Sequence, residues 1–371
     1  MEQHIKQQII SARQDLFALA ERSGQERQTQ AYLKRFLTER TELSVIDRGS
    51  WLYARHDEGA MQTLVVRADH DAVPTACGAG HLCGHDGHTA ALLGLALLLE
   101  GQRLGCNVIL LFQHAEETGY GGAACCELFG LERLNRENTR IIGCHNIPGQ
   151  ALGQLLFRQG TFACASCGVE IRLTGSPTHA AYPENGVNPS GAVAELALKL
   201  PKLAAQTAEG HACMALATIV GMRSGEEAFG VAASDGVLWA TLRAEKQEAF
   251  RALNEQVDLA AQLAAEAAAL RLSIRRRDIF PATVNDAGLQ DSLERACIQT
   301  GISYRYLDVP FRWSEDFGHY GSHVPACFFG IGAGAATPPL HTESYQYPDA
   351  LAPITAETFY KLLTILANRQ F

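Results

Sequence analysis

Hydrophobic residues recur in two different patterns in the first third of the chain. Between residues 2 and 40, apolar side chains such as Leu33, Phe36 and Leu37 recur at spacings of three and four, which predicts helix. Residues 64–69 and 107–112 are instead short and almost continuously apolar, as expected of strands that are buried on both faces. The Ala- and Leu-rich stretch 89–100 between them predicts a helix. Strand, helix and strand therefore alternate as in an α/β sheet.

The middle of the chain has a different order of elements. It predicts three strands and two helices, in an order typical of a compact α+β unit. The strands are expected at 168–173, 214–220 and 237–242, and the helices after Asn188–Pro189 and at 246–270.

These patterns predict an α/β protein of two domains, which the length of 371 residues also favours. Residues 1–163 and 279–371 are expected to form a discontinuous catalytic domain, with a mixed, mainly parallel sheet flanked by helices. Residues 164–278 are expected to form an inserted α+β domain.

Composition narrows the class of protein. A hydrophobic fraction of 47% and a charged fraction of 19% are typical of a folded globular chain. The net charge of −9 and the single basic block Arg275–Arg277 argue against nucleic acid as a partner. The apolar stretch 90–99 is shorter than the ~20 residues of a membrane span, so no membrane association is expected. Eleven cysteines without a visible export signal favour reduced thiols and a cytoplasmic location.

Side chains with metal-binding or acid–base chemistry follow the predicted strands. Ligands of open α/β sheets bind beyond the carboxyl ends of the strands, so these side chains are expected to lie together. Carboxylate, imidazole and thiolate donors of this kind suit zinc, manganese or cobalt. The candidates are Asp71, Cys83, His85, Glu117, His145 and His341.

Spacing does not decide which histidine near Cys83 would bind a metal. His81, His85 and His88 share one loop, and His85 and His88 are three residues apart, so a helix would place both on one side. An alternative is a cysteine hydrolase in which Cys83 is the nucleophile and His85 or His88 its base. That alternative leaves the other candidate ligands unexplained.

Glu116 and Glu117 are expected to have different roles. On an extended strand, adjacent side chains point to opposite faces, so both carboxylates cannot bind one ion unless the chain turns. The glycine-rich residues 119–122 would permit such a turn. One glutamate is then expected to bind metal and the other to transfer protons.

Several motifs together resemble the aminoacylase and carboxypeptidase-G-like metallopeptidase family. Within that family the motifs are similar to those of the amidohydrolase branch, which includes plant indole-acetyl-amino-acid hydrolases, bacterial N-acyl-amino-acid hydrolases and aminobenzoyl-glutamate hydrolases. The resemblance covers nearly the whole chain. It implies a metal-dependent amidohydrolase that cleaves an N-acyl amino acid or a similar small amide. The motifs are RADHDAVP at 67–74, CGHDGHTA at 83–90, AEE at 115–117, THAAYP at 178–183, SEDF at 314–317 and LH at 340–341.

The resemblance also implies roles for individual residues. Glu116 would be the general base and acid, and Asp71 would orient a metal ligand. His179 of the insert would stabilise the oxyanion, often in the neighbouring subunit. The insert would then be a lid and dimerisation domain in a homodimer or larger homo-oligomer. Two divalent ions (zinc, manganese or cobalt) would be held by Cys83, His85, Glu117, His145 and His341.

The insert carries a further candidate for substrate binding. Arg243 matches a position at which relatives often bind the substrate carboxylate, and a guanidinium suits bidentate recognition of that group. An ordinary surface arginine is the alternative for this residue.

The chain departs from the family pattern in three places. His114 stands where relatives usually have proline, and residues 341–345 are more polar than usual. Residues 230–233 are Gly-Val-Ala-Ala where the family tends to have Asn-Val-Ile-Pro, whose asparagine helps to hold the substrate or oxyanion. A catalytically altered relative that only binds metal or ligand is therefore a second alternative, although the retained Glu116 argues for catalysis.

Overall fold

The chain folds into two compact units in a computed structural model that describes residues 1–76 and 78–368. The first unit comprises Met1–Phe162, Thr283–Pro310 and the residues from Asp316 onward. The second comprises Ala163–Ala282 and Phe311–Glu315. The role of the second unit as a lid and dimerisation domain stays a prediction. Every helix in the described ranges is too short or too polar to span a lipid bilayer.

The elements have the following bounds. The helices are α1 Gln3–Ala18, α2 Arg27–Arg40, α3 His85–Leu99, α4 Gly121–Cys125, α5 Glu127–Leu131, α6 Ser190–His211, α7 Gln247–Ala267, α8 Ala287–Thr300 and α9 Leu351–Ala367. Strands before residue 164 are β1 Ser44–Asp47, β2 Leu52–His56, β3 Thr63–Asp69, β4 Val73–Thr75, β5 Gly78–Gly80, β6 Asn107–Gln113, β7 Thr139–Ile147, β8 Leu155–Phe157 and β9 Gly160–Ala163. Later strands are β10 Ala165–Thr174, β11 Thr178–His179, β12 Ala215–Ser224, β13 Val231–Ala232, β14 Asp235–Ala244, β15 Arg271–Phe280, β16 Thr283–Asn285, β17 Tyr304–Tyr306 and β18 Ala326–Gly332.

The first unit is built on a mixed sheet with the strand order β1-β2-β6-β3-β7-β18-β8-β17. Its four central strands, β6, β3, β7 and β18, are parallel, and β1, β2 and β8 join it through antiparallel pairs. Val66 of β3 lies between Leu110 of β6 and Ile142 of β7. Both predicted apolar runs are therefore buried central strands, and the predicted fold class is confirmed.

Helices α1, α3 and α9 pack together against this sheet. Helix α3 is buried along almost its whole length, as its Ala- and Leu-rich sequence requires. At Gly94 a Cβ atom would lie 2.5 Å from Cδ1 of Ile9, so glycine permits the close approach of α1 to α3.

The N-terminal helical pattern is interrupted in the structure. Helix α1 ends at Ala18 and α2 begins at Arg27, so residues 19–26 form a connecting loop rather than a continuous helix. Gly24 has a φ of +77°, a left-handed conformation that ends helical geometry and that glycine adopts at little cost. This loop contacts the ends of two central strands, as described below.

The second unit is an α+β layer. Strands β12, β14, β10 and β15 form an antiparallel sheet in that order, and α6 and α7 pack on one of its faces. Alternate residues of β10, including Val169, Ile171 and Leu173, are buried in the core shared with these helices. The strands and helices predicted from the sequence of this region are all present.

Candidate metal centre

The candidate residues of the first unit lie at the carboxyl ends of its parallel strands. This is the edge at which open α/β sheets bind ligands, because successive strand–helix connections open there. In chain order they are Asp71 after β3, Cys83 and His85 at the start of α3, Glu116 and Glu117 after β6, and His145 near the end of β7.

Two groups of three donor side chains share Cys83. The ligand atoms of Cys83, His85 and His145 lie within 4.8 Å of one another. Those of Cys83, Glu117 and His341 form a second group at the same spacing. One thiol, three imidazoles and one carboxylate at this separation suit two neighbouring divalent ions of the zinc type.

The imidazoles of His85 and His145 are held so that Nε2 faces this cluster. Nδ1 of His85 lies 3.1 Å from the main-chain oxygen of Asp71, and Nδ1 of His145 lies 2.9 Å from that of Asn146. A carbonyl oxygen can only accept, so Nδ1 carries the proton in each ring and Nε2 keeps its lone pair. Nε2 of His145 lies 3.4 Å from Sγ of Cys83.

Two buried atoms of the cluster have no hydrogen-bond partner among the described residues. They are Nε2 of His85 and Oε1 of Glu117, and they lie 3.8 Å apart. Buried polar atoms are nearly always paired in folded proteins. A shared cation would satisfy both atoms, so the donors present fit a metal.

His88 differs from His85 in this respect. Its Nδ1 lies 2.7 Å from Oδ1 of Asp69, and its Nε2 lies 2.5 Å from the side-chain oxygen of Asn146. Both ring nitrogens are thus engaged within the protein. His81 is buried but belongs to no metal-binding group found among the described residues. His85 therefore has a ring nitrogen free to bind a metal and His88 does not, a difference that their spacing in the sequence could not show.

The chain turns immediately before the two glutamates. Ala115 has a left-handed φ of 48°, and Glu116–Thr118 form a single 3-10 turn. The turn therefore begins at Ala115 rather than at the following glycines, where the sequence suggested it. Among those glycines, a Cβ atom on Gly121 would lie 1.6 Å from the main-chain oxygen of His114, so only glycine fits there.

This turn brings both carboxylates to the same cluster in different orientations. A ligand atom of His85 lies within 4.8 Å of oxygens of both Glu116 and Glu117. Oε1 of Glu116 accepts a hydrogen bond from the main-chain N–H of Asp316 at 3.3 Å. Glu117 instead lies 3.6 Å from Nε2 of His341. The two adjacent carboxylates thus have different neighbours.

Asp71 links His85 to the second glutamate. One of its carboxylate oxygens lies 3.1 Å from Nδ1 of His85, and the other accepts the N–H of Glu117 at 3.0 Å. Burial alone would raise the pKa of Asp71, but the hydrogen bond from Nδ1 of His85 outweighs burial and lowers that pKa to about 2. Asp71 is therefore an anion that fixes the ring of His85.

Burial dominates the protonation of the donor atoms themselves. It raises the pKa of the Cys83 thiol well above its ordinary value and the pKa of Glu117 to about 7. A divalent cation reverses this preference, because thiolates and carboxylates bind metal in their ionised form. The same burial disfavours a free Cys83 thiolate as a nucleophile.

A buried ionic network lies behind the glutamates, and sequence reasoning missed it. The guanidinium of Arg67 donates to Asp69 at 2.8 Å, to Asp316 at 2.8 Å and to the side-chain oxygen of Gln113 at 2.7 Å. Asp316 also accepts the N–H of Gly122 at 2.7 Å. The sequence contained one indication of this network, because Arg67 lies inside an apolar strand and a charged residue is almost never buried without a partner.

His114 and His341 differ in exposure. His114, the unusual residue before the glutamates, is buried, and its Nδ1 has no hydrogen-bond partner within the described ranges. His341 is exposed and has a left-handed φ of 61°, and its N–H donates to the main-chain oxygen of Leu82.

In the second unit, His179 lies at an exposed tip formed by β11 and β13. His179 pairs with Val231 across these strands, so the segment that departs from the family pattern is its direct neighbour. The main-chain N–H of Ala181 donates to Nδ1 of His179 at 3.0 Å. Nε2 therefore carries the proton in the neutral ring and is available as a donor.

Arg243 is partly buried on the open face of the second unit's sheet. Its Nη1 donates to the main-chain oxygen of Arg312 at 3.0 Å and to the hydroxyl of Ser314 at 2.9 Å. Arg243 is therefore held in a defined orientation by residues 311–315 rather than extending freely from the surface.

Comparison with known proteins gives relatives for almost the whole chain. The model of Peptidase family M20/M25/M40 matches residues 65–364. The N-acetyl-L-cysteine deacetylase of Bacillus subtilis is 27% identical over 350 residues, which cover 88% of this chain and 81% of that protein. The IAA-amino acid hydrolase ILR1-like 4 of Arabidopsis thaliana is 28% identical over 324 residues, covering 84% and 72%.

A solved structure has the same fold. The YXEP protein of Bacillus subtilis, described as a dinuclear metal-binding peptidase, aligns over 99% of both chains with a TM-score of 0.81 and 22% sequence identity. The resemblance inferred from the motifs is confirmed by these matches.

Proposed function

The chain belongs to Peptidase family M20/M25/M40, and we propose that it is a metal-dependent amidohydrolase that cleaves the amide bond of N-acyl amino acids. The observation that carries the proposal is the convergence of two donor groups that share Cys83, with Glu116 beside them. The two relatives described above are named as a deacetylase of N-acetyl-L-cysteine and a hydrolase of an amino acid conjugate, which supports this substrate class.

We assign the metal-binding role to five side chains. The unpartnered atoms of His85 and Glu117 support the assignment, as does the orientation of the His145 ring. Zinc, manganese or cobalt would suit these donors and, when bound, would polarise the substrate carbonyl and make water a stronger acid. The ligands are Cys83, His85, Glu117, His145 and His341.

Glu116 is the general base and acid in this proposal. It removes a proton from water, whose oxygen attacks the carbonyl carbon of the amide. Glu116 then gives that proton to the amide nitrogen as the C–N bond breaks, so the products are a carboxylic acid and a free amine. The N–H of Asp316 holds Oε1 of Glu116 in place during both transfers.

Asp71 positions His85, and two residues of the second unit contact the substrate. The Nε2–H of His179 donates a hydrogen bond to the oxyanion that forms during attack. Arg243 binds the carboxylate of the amino acid, for which a guanidinium has the required paired donors. We expect the second unit to act as lid and dimerisation domain in a homodimer or larger homo-oligomer. A cytoplasmic location is expected from the cysteine content.

Metal analysis combined with a substrate screen tests the proposal. The purified chain is assayed on N-acetyl, longer N-acyl and aminobenzoyl amino acids before chelation, after chelation and after metal is returned. We expect bound divalent metal, loss of hydrolysis on chelation and its recovery with zinc, manganese or cobalt.

Two outcomes would contradict it. Hydrolysis that survives metal removal and is abolished by a thiol-alkylating reagent would favour a cysteine hydrolase using Cys83. Bound metal without turnover of any substrate would favour a relative that only binds its ligand.

A further inference from the structure

The loop between α1 and α2, residues 19–26, contacts the ends of two central strands through two polar side chains. The hydroxyl of Ser23 donates to Oδ2 of Asp71 after β3 at 2.6 Å. Oε1 of Glu26 accepts the main-chain N–H of Ala115 after β6 at 2.9 Å. The main-chain N–H of Ala72 also donates to the main-chain oxygen of Glu21, which fixes the loop against the end of β3.

Glu26 is a buried carboxylate with only 4% of its surface exposed. Burial raises its pKa, and the main-chain N–H groups of Glu26, Gly24 and Ala115 oppose that shift. Buried carboxylates are costly unless they are hydrogen-bonded in this way. The N–H of Ala115 is therefore one of three main-chain donors that stabilise the buried carboxylate of Glu26.

Ala115 is the residue whose conformation decides where the two glutamates point. Its left-handed φ of 48° is unfavourable for a residue with a Cβ atom, so surrounding contacts must stabilise it. Its N–H is held by Glu26, and its main-chain oxygen accepts the N–H of Gly121 at 3.1 Å. Both peptide groups of the turn are thereby fixed.

Asp71 is fixed in a similar manner. One carboxylate oxygen faces Nδ1 of His85, and the other accepts from both the hydroxyl of Ser23 and the N–H of Glu117. Without Ser23, the carboxylate keeps its bonds to His85 and Glu117 but loses the third bond that restrains its orientation. The orientation of His85 depends on that carboxylate.

We propose that Ser23 and Glu26 are positioning residues, which aim the catalytic carboxylates and His85 through Asp71 and Ala115. The proposal rests on the function proposed above. It adds that the loop 19–26 sets the geometry of the centre although no atom of these two side chains belongs to the ligand set.

The same loop offers a matched control. The carboxylate of Glu21 accepts the N–H groups of Gln28 and Thr29, each at 2.9 Å, and the hydroxyl of Thr29 at 3.0 Å. Its side chain therefore caps α2 and does not contact the turns after β3 and β6. Loss of this cap is expected to lower stability without changing the site.

The experiment compares Ser23→Ala, Glu26→Met and Glu21→Met in the full chain, since methionine has a size similar to glutamate but no oxygen that accepts the N–H groups. It measures kcat, KM, the midpoint of thermal unfolding, and zinc affinity by competition with a chromophoric chelator. Ser23→Ala and Glu26→Met are expected to lower kcat about 10–100-fold with little change in KM, and Ser23→Ala to weaken zinc binding about 10-fold or more. Ser23→Thr, which keeps the hydroxyl, is expected to restore most of both losses.

Glu21→Met is expected to lower the unfolding midpoint while kcat stays within about twofold of the parent chain. If Ser23→Ala and Glu26→Met also keep kcat and zinc affinity near parental values, or if Ser23→Thr restores nothing, the inference is overturned. If Glu26→Met fails to fold, Ser23→Ala and Ser23→Thr still decide whether the inference holds. If the parent chain binds zinc but hydrolyses no substrate, the proposed function is refuted. The zinc affinities of the Ser23 variants then still test whether residues 19–26 position the metal-binding side chains.

Discussion

The buried candidate residues of the first unit and the exposed His179 of the second unit are held in different ways. In the first unit, His85, Asp71 and Glu116 are buried, and each is held by hydrogen bonds from a different element. In the second unit, His179 lies on an exposed tip and its ring is fixed by one main-chain bond. Catalytic groups act best when fixed before the substrate arrives, so the first unit is preorganised. His179 would be fixed to the same degree only after contact with the substrate or with another protein surface.

The largest expected effect comes from the proposed base in the preorganised unit. Glu116→Gln removes the group that accepts the proton but keeps its size and the oxygen that faces the N–H of Asp316. We expect kcat to fall about 10²–10⁴-fold, with bound metal unchanged. Stopped assays on the best substrate and metal analysis of the same preparation measure both quantities.

Glu117→Gln is the matched control for this variant, since it changes the adjacent carboxylate in the same way. It is expected to lose bound metal as well as activity. Near-normal turnover by Glu116→Gln, or loss of metal from both variants alike, would remove the distinction between the two glutamates.

A smaller effect is expected from His179→Ala. An exposed side chain contributes little to folding, so bound metal and the unfolding midpoint should not change, while loss of an oxyanion donor should lower kcat by about 10²-fold. Kinetic assays, metal analysis and thermal unfolding of one preparation separate these quantities. A matching loss of metal would show that His179 supports the centre itself.

Mixed oligomers of His179→Ala and Glu116→Gln test whether the exposed histidine acts on another subunit. If it does, some mixed dimers combine an intact Glu116 with an intact His179, and part of the activity returns. Mixtures that exchange subunits without any recovery would place both residues in one chain's site.

The smallest effect concerns a buried imidazole that the mechanism does not use. Neither ring nitrogen of His70 has a hydrogen-bond partner in the described part of the chain, and burial lowers its pKa to about 3. His70→Met removes these unsatisfied atoms and should stabilise the chain by about 1–2 kcal/mol at pH 7. Denaturant unfolding measures the difference, and the exposed His4→Met is the control.

The stabilisation by His70→Met should grow on acidification. Below about pH 6.5 the unfolded chain binds a proton at His70, whereas the folded chain does not until about pH 3. The stability of the parent chain therefore falls across that interval by up to about 1.4 kcal/mol per pH unit for this group. An equal difference between the two chains at pH 7 and pH 5.5 would contradict this explanation.

Local patterns predicted several of the helices and strands but not the point at which a helical pattern is interrupted. The apolar runs at 64–69 and 107–112 predicted β3 and β6 because strands buried on both faces need continuous hydrophobic residues. The helical spacing of residues 2–40 hid the loop that contains Ser23 and Glu26. Gly24 indicated a possible break in the helix, but the contacts of that loop are with residues 48 and 89 positions away in the sequence.

The sequence by itself determined the kinds of donor atoms, their order, and the adjacency of Glu116 and Glu117, which already required a division of roles. Residue spacing left His85 and His88 equivalent, and the tertiary structure shows the physical difference between them: Asp69 and Asn146 engage both nitrogens of His88, whereas Nε2 of His85 faces Glu117. The tertiary structure also decided that the chain turns at Ala115. Side-chain orientation is set by partners brought together across the fold, and spacing along the chain carries no record of them.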